Sequence, residues 1–546
     1  MELCWILGYL LLLAKTTLQL ESSSYTGAVV EYYPVTHSIN NEKPSHINAD
    51  NYVKIIKKAS DYSADILVFP ESSLSTPTSM DPKISRSEAA SYVPDPRDNL
   101  VPCDDKTYAY SLRTISCAAR DHRMYVVVNH REKVDCLGNT TGCPSDNLLI
   151  YNTNVAFDRQ GRVIARYRKF NLFGERGTNV TEDPVTSTFR TDFGVTFGQF
   201  ICFDVLFSRP ALNLTTQMGI RDIIFSSHWF SELPFLVSVQ AQAGWAHAND
   251  VNLLSSGYNM PLTVSGGSGI FIGREGYSQV LLRTKPANVL MVSEIPMVID
   301  GKRLVNINTE KSFTYEFDES EINTTTSAFS KSFVPLIEDL SIYTTKKIDL
   351  KSSVSDEILC DRELCCDFKF NVSFHKNMAN DDARYYRYRM AVFNGTRTFR
   401  GVATGGIKSC GIISCTNNTL SSCGRLIDPS VRISSPTTFH SIEITMRNVS
   451  YENHFFMPAG ISRDLLPLNV TDYTFETTDL LNGTSTRKMV LTKPRNDLLT
   501  FAIFGRNFAV DGSDVTKNAS SKNIFKKTLF IIALIFMSCR YLNLWS

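Results

Sequence analysis

From about residue 26 to residue 300 the chain alternates short, nearly continuous apolar runs with helix-length amphipathic segments, a pattern that few architectures can satisfy. GAVVEYYPV (27–35), ADILVFPE (64–71), MYVVVNH (124–130), FGQFICFD (197–204) and DIIFSSHW (222–229) are rich in β-branched and aromatic residues and apolar at successive positions. Strands read this way when both of their faces are covered. Between them, INADNYVKIIKKASDY and TYAYSLRTISCAARDH place apolar residues at helical spacing. Doubly covered strands interleaved with helices define an α/β class. LLIYNTNVAFDRQGRVIARYRKF reads differently, as a hairpin whose turn is DRQG. After about residue 310 helical periodicity fades, Thr, Ser and Asn increase, and FKFNVSF, RYRMAVF, HSIEITMRNVS and LLTFAIFGRNF read as strands of a second, β-rich domain. A chain of 546 residues exceeds what one core organises, which agrees with two or three domains.

Lys and Arg number 56 against 55 Asp and Glu, so no electrostatic argument favours nucleic acid as a partner. Residues 3–14 form an apolar run too short to span a bilayer but long enough for the core of an export signal, expected over 1–22. At the other end, small residues at 518–521 precede a basic spacer and an apolar tail over 529–539, the order of a glycosylphosphatidylinositol attachment signal, expected over 518–546. A single C-terminal membrane-spanning anchor is the other reading, weakened by Arg540. Acceptor sequons for N-glycosylation begin at Asn139, Asn179, Asn213, Asn323, Asn371, Asn394, Asn417, Asn448, Asn469, Asn482 and Asn518. The chain is therefore expected on the extracellular face of the membrane through its lipid anchor, or in a secreted form.

Export turns thirteen cysteines into a counting problem, because oxidising compartments pair thiols. Cys4 and Cys539 fall in the two end segments, leaving an odd eleven. Cys103, Cys117, Cys136 and Cys143 form one group, and Cys360, Cys365, Cys366, Cys410, Cys415 and Cys423 form another. Each group can close internally, with the connectivity open. Cys202, distant from both, is the candidate free thiol.

Three polar residues interrupt the apolar text of the first domain: Glu71 after ILVFP, Lys169 at the end of RVIARYRK, and Cys202 after FGQFI. Open α/β sheets bind ligands beyond the carboxyl ends of their strands, where two of these residues fall, the third ending a neighbouring hairpin strand. A nucleophilic thiol needs a base and positive charge nearby, roles that suit Glu71 and Lys169. The oxyanion formed on attack at an amide carbonyl could be held by the Lys169 ammonium and the backbone N–H of Phe203. Spacing alone leaves the alternatives open: Glu71 also fits a turn, Lys169 a solvated hairpin, and Cys202 an inert core thiol. A papain-like Cys/His site lacks its local signature, and no HExxH or phosphate-loop motif occurs. CDRELCC and CGIISC read as disulfide segments rather than metal ligands, and the Arg and Tyr of ARYYRYRMAVF as a cross-strand surface. No cofactor or metal is expected.

ILVFPESS, IARYRKFNLFGE and GQFICFDVLF resemble, in order, the Glu, Lys and Cys motifs of the nitrilase (carbon–nitrogen hydrolase) superfamily. VPCDD, CFDVLFSRPA, SGGSGIF, ILCDRELCCDF, MAVFNGTRTFRG and LTFAIFGRNF are similar to the vanin and biotinidase branch over nearly the whole chain. That resemblance implies a four-layer αββα catalytic domain over 23–308, followed by a β-rich, disulfide-tied domain over 309–517. It implies hydrolysis of a linear amide, with Glu71 as proton acceptor, Lys169 as proton donor and oxyanion stabiliser, and Cys202 as nucleophile. Vanins cleave pantetheine to pantothenate and cysteamine, and biotinidase cleaves biocytin; the C-terminal signal favours the first, and an inactive surface-anchored binding protein is the remote alternative. LFGERG and SSHWF depart from the vanin-like form, which leaves the substrate open. Glu175 resembles a second glutamate that positions substrate in some nitrilases, and His228 and Trp229 are expected to contact substrate.

Overall fold

The computed structural model describes residues 23–516, apart from 41, 76–84, 139–141, 325–332, 351–352, 380–383, 429, 451 and 481–482. Both end signals, Cys4, Cys539 and the sequons at Asn139, Asn482 and Asn518 lie outside the described residues. The first half of the chain runs β1 (Ser24–Tyr32), α1 (Pro44–Asp61), β2 (Ile66–Val68), α2 (Tyr110–Asp121), β3 (Tyr125–Asp135), β4 (Leu148–Phe157) and β5 (Val163–Arg168). It continues through β6 (Ser187–Arg190), β7 (Thr196–Ile201), β8 (Asp222–Ser227), β9 (Glu232–Leu233), α3 (Ser238–Asn249), β10 (Asn252–Tyr258), β11 (Ser268–Ile272), β12 (Tyr277–Leu281) and β13 (Val289–Pro296).

Hydrogen bonding joins β5-β4-β3-β2-β1-β13 into one sheet and β6-β7-β8-β10-β11-β12 into another. They are stitched together where Glu31 and Tyr32 pair in parallel with Gly257 and Tyr258. The strands carrying the expected site are parallel at the centre, β1 with β2 and β7 with β8, and the β4–β5 hairpin is antiparallel.

Side-chain alternation explains why these strands are apolar on both faces. In β1, Ala28, Val30 and Tyr32 share a core with Tyr52 and Ile55 of α1 and Leu112 of α2. Its Tyr25 and Val29 share another core with Phe197, Ile224 and Leu254 of the opposite sheet. In β8, Ile224 enters that inter-sheet core while Ile223 and Phe225 meet Trp245 of α3. The layers therefore run helix, sheet, sheet, helix, as the family resemblance implies.

Ser312–Glu316 extends the first sheet by pairing with β13. Beyond it, two five-stranded antiparallel sheets build a sandwich. One runs Thr344–Lys347, Arg387–Phe399, Ala403–Cys415, Leu498–Asn507, His454–Ser462; the other runs Val354–Asp361, Leu364–Phe374, Thr437–Ser450, Thr484–Leu491, Tyr473–Asp479. Phe368, Ile442 and Ile444 of the second sheet meet Met390, Ile412 and Phe501 of the first in a shared core. Cys366–Cys410 bolts the two sheets together, and Cys360–Cys365 and Cys415–Cys423 close local loops. Upstream, Cys103 pairs with Cys117 and Cys136 with Cys143. Both groups close internally, and Cys202 is the free cysteine among the described residues.

The sandwich docks on α3. A Cβ at Gly244 would lie 2.4 Å from the Pro458 carbonyl oxygen, so the helix approaches strand His454–Ser462 closely only because that position carries no side chain.

Candidate active site

Each sheet delivers half of the site. From the first sheet, Glu71 stands just beyond the end of β2 and Lys169 directly follows β5, its N–H continuing the ladder to the Asn152 carbonyl at 2.8 Å. From the second, Cys202 directly follows β7 and His228 directly follows β8. The carboxyl ends of parallel strands thus converge where the sheets meet, the position at which α/β sheets leave a crevice.

Cys202 adopts φ +46 and begins a 3-10 turn, Cys202–Leu206. A left-handed conformation at a non-glycine residue is strained, and the surroundings hold it. Asp204 accepts the Ile201 N–H at 3.0 Å and the Tyr167 hydroxyl at 2.7 Å on one oxygen, and the Asn171 N–H at 2.9 Å on the other. This carboxylate orders the turn after the thiol, the role its short acidic side chain suggests. Burial pushes its pKa up to about 6.

Glu71, Lys169 and Cys202 are 3%, 1% and 5% exposed, which excludes the solvated-hairpin and surface-turn readings. Lys169 Nζ donates to Glu71 Oε1 at 2.6 Å and to Glu175 Oε1 at 2.5 Å. Asn152 Nδ2 bridges the same two carboxylates, at 2.8 Å to Glu71 and 2.9 Å to Glu175. The His228 N–H donates to Glu71 Oε2 at 2.8 Å, so both oxygens of Glu71 are held.

The electrostatics follow from this packing. Burial opposes the charge on Lys169, but the Glu175 and Glu71 carboxylates outweigh it and hold the ammonium well above the usual lysine range. Burial likewise opposes ionisation of Glu175, and the Lys169 ammonium brings that carboxyl below its ordinary value. For Cys202 the balance reverses: burial and then the Glu71 carboxylate push the thiol well up, against the opposing pull of Lys169. The resting site therefore holds a neutral thiol beside a charged lysine between two carboxylates.

A cleft of about 430 Å³, counting its open mouth, leads to Cys202. Phe203, His228 and Trp229 are among the residues that line it. Glu175 gives its carboxylate to Lys169 and Asn152, so it orients the lysine. Leu336, Phe399 and Arg400 of the β-rich region complete the wall. Among the described residues no cluster of His, Cys, Asp and Glu could hold a metal ion.

Asn152 was not singled out from sequence, although Asn152, Thr153 and Asn154 interrupt the apolar text of β4 in the way that Glu71 interrupts its own segment. The walls contributed by the second region left no comparable local signal.

A family model described as carbon–nitrogen hydrolase matches residues 44–248, and one described as the vanin C-terminal domain matches residues 334–511. Vanin-like protein 1 of Drosophila melanogaster is 33% identical over 520 residues, covering 92% of this chain and 89% of that protein. Vanin-like protein 3 of the same organism is 34% identical over 516 residues, 92% of each chain. The pantetheinase of Mus musculus is 27% identical over 455 residues, 82% of this chain and 80% of its own. With both family models in sequence, relatives of this extent and a thiol, lysine and glutamate gathered at the carboxyl ends of the two sheets, the chain belongs to the vanin-like branch of the carbon–nitrogen hydrolases.

Proposed function

We propose that the protein hydrolyses a linear amide through a thioester on Cys202, with pantetheine as substrate and pantothenate and cysteamine as products. The observation that carries the reaction type is the direct contact of Glu71 with Lys169 beside a free, buried thiol at the end of a cleft. A thiol held neutral needs its base in place at the moment of attack. Glu71 takes the Cys202 proton as sulfur bonds to the amide carbon, and the carbonyl oxygen becomes an oxyanion. The Lys169 ammonium and the Phe203 N–H, the first peptide after the nucleophile, stabilise that oxygen. As the intermediate collapses the C–N bond breaks, and the amine departs with the proton that Glu71 had taken. Water then gives a proton to Glu71 and attacks the thioester, and release of the acid returns that proton to sulfur.

The substrate assignment draws on the relatives named pantetheinase, two of which align over 80% or more of both chains. Purified protein is expected to release cysteamine from pantetheine, and Cys202→Ala to release none while unfolding at the wild-type temperature. Equal turnover by the two proteins would remove Cys202 from the mechanism. Side-by-side assay against biocytin decides the leading alternative, and turnover of neither amide would favour the inactive binding protein.

A further inference from the structure

The cleft wall carries four polar side chains besides Cys202 itself, and three of them are accounted for. Trp229 donates its Nε1–H to the Leu236 carbonyl at 2.9 Å. Glu232 is paired with Arg397 at 2.6 Å. Arg400 stands exposed on a turn at the rim. The fourth is His228, whose Nε2 is buried without a hydrogen-bond partner. Its ring lies flat on Tyr258, with centroids 3.9 Å apart and planes 13° apart, and tilts against Phe230 at 4.9 Å. Two aromatic neighbours fix the ring's orientation, and the backbone bond to Glu71 anchors its root beside the expected base.

A buried polar atom left unpaired is costly, and sites built with one recover the bond from the ligand. Burial first, then the Lys169 charge, bring the imidazole down to about 3, with Glu175 pulling weakly the other way, so the ring is neutral at working pH. A neutral imidazole can accept from an N–H or donate to an oxygen, according to tautomer.

We infer that His228 is a specificity-determining residue whose Nε2 hydrogen-bonds a second polar group of the substrate, an amide or hydroxyl a few bonds from the scissile carbonyl. Amides that are wholly aliphatic around the scissile bond leave Nε2 unpaired and are rejected. Sites that read a polar group discriminate in this way more strongly than apolar pockets discriminate by size. The inference deepens the proposed amide hydrolysis and rests on it.

The test uses two amides of equal length, one with a secondary amide near the scissile bond and one with methylenes in its place. Wild-type kcat/KM is expected to favour the first by on the order of 10- to 100-fold. His228→Phe keeps a ring against Tyr258 without the nitrogen, and its ratio should fall to near one. His228→Gln, which restores a donor and an acceptor, should recover part of the preference. Binding of both amides to Cys202→Ala, measured by calorimetry, gives the same comparison without turnover, so failure of the reaction assignment is read separately. A preference that survives His228→Phe in turnover or binding overturns the inference, as does Cys202→Ala binding both amides equally or neither.

Discussion

At Cys202 one property has two consequences. Burial and the Glu71 carboxylate raise the thiol, so its protonated form persists to higher pH than that of an ordinary cysteine. The sign sets the reactivity profile: the thiolate fraction of a raised group climbs only as pH passes the raised value. Alkylation of the native protein by iodoacetamide should therefore stay slow through pH 9, where an unperturbed thiol, with a pKa of about 8.5, is already mostly reactive. A rate that climbs with its midpoint near pH 8.5 or below would mean that Lys169 outweighs burial. The ten remaining cysteines of the described residues are paired, so among them the modified site is Cys202, and peptide mapping of the alkylated protein checks it.

Among the elements, the hairpin formed by Arg387–Phe399 and Ala403–Cys415 reaches furthest into function. Its turn carries Arg400 at φ +57 and Gly401 at φ +73. The Phe399 ring meets Phe203 edge-on at 5.4 Å, and a Cβ on Gly174 would come within 3.2 Å of Val402. The tip therefore rests both on the turn after the nucleophile and on the loop that carries Glu175. Phe399→Ala should cost roughly 3 kcal/mol of stability and raise KM by a larger factor than it lowers kcat. An unchanged KM in a folded variant would take the hairpin off the substrate's path. This element also marks how far the sequence could be read. The β4–β5 hairpin, both amphipathic helices and the strand ends bearing Glu71, Lys169 and Cys202 all announce themselves in local pattern, because burial on one or two faces imposes a period. The contact of Glu175 with Lys169 is visible only in space. The meeting of Phe203 with Phe399, nearly two hundred positions apart, imposes no period on either segment, so the second region reads as a separate β-rich domain and its share of the cleft is invisible.

Considered whole, the molecule is two architectures with a common interior. Val237 and Val239 belong to the core of the sandwich, while Phe393, Ala502 and Phe504 belong to the core around Trp245. Arg397, 5% exposed, is ion-paired with Glu232 at 2.6 Å across the same boundary and with Glu338 at 2.9 Å within its own region. Removing one partner from such a buried set costs about 3–5 kcal/mol, because a charge is then left alone. Folding must also manage the eleven cysteines of the described residues, of which ten pair. In the unfolded chain Cys202 has neither burial nor Glu71 to keep it protonated, and it can attack any disulfide within reach. Oxidative refolding of the reduced protein should accordingly give a higher yield of native pairing for Cys202→Ala than for wild type; equal yields would show that the eleventh thiol does not interfere. During synthesis the first two sheets emerge before the six downstream cysteines. Burial of the reactive sulfur in the first two sheets at that stage withdraws it from exchange, so chain order acts as a chaperone for the three downstream disulfides: the nucleophile is hidden before those bonds exist.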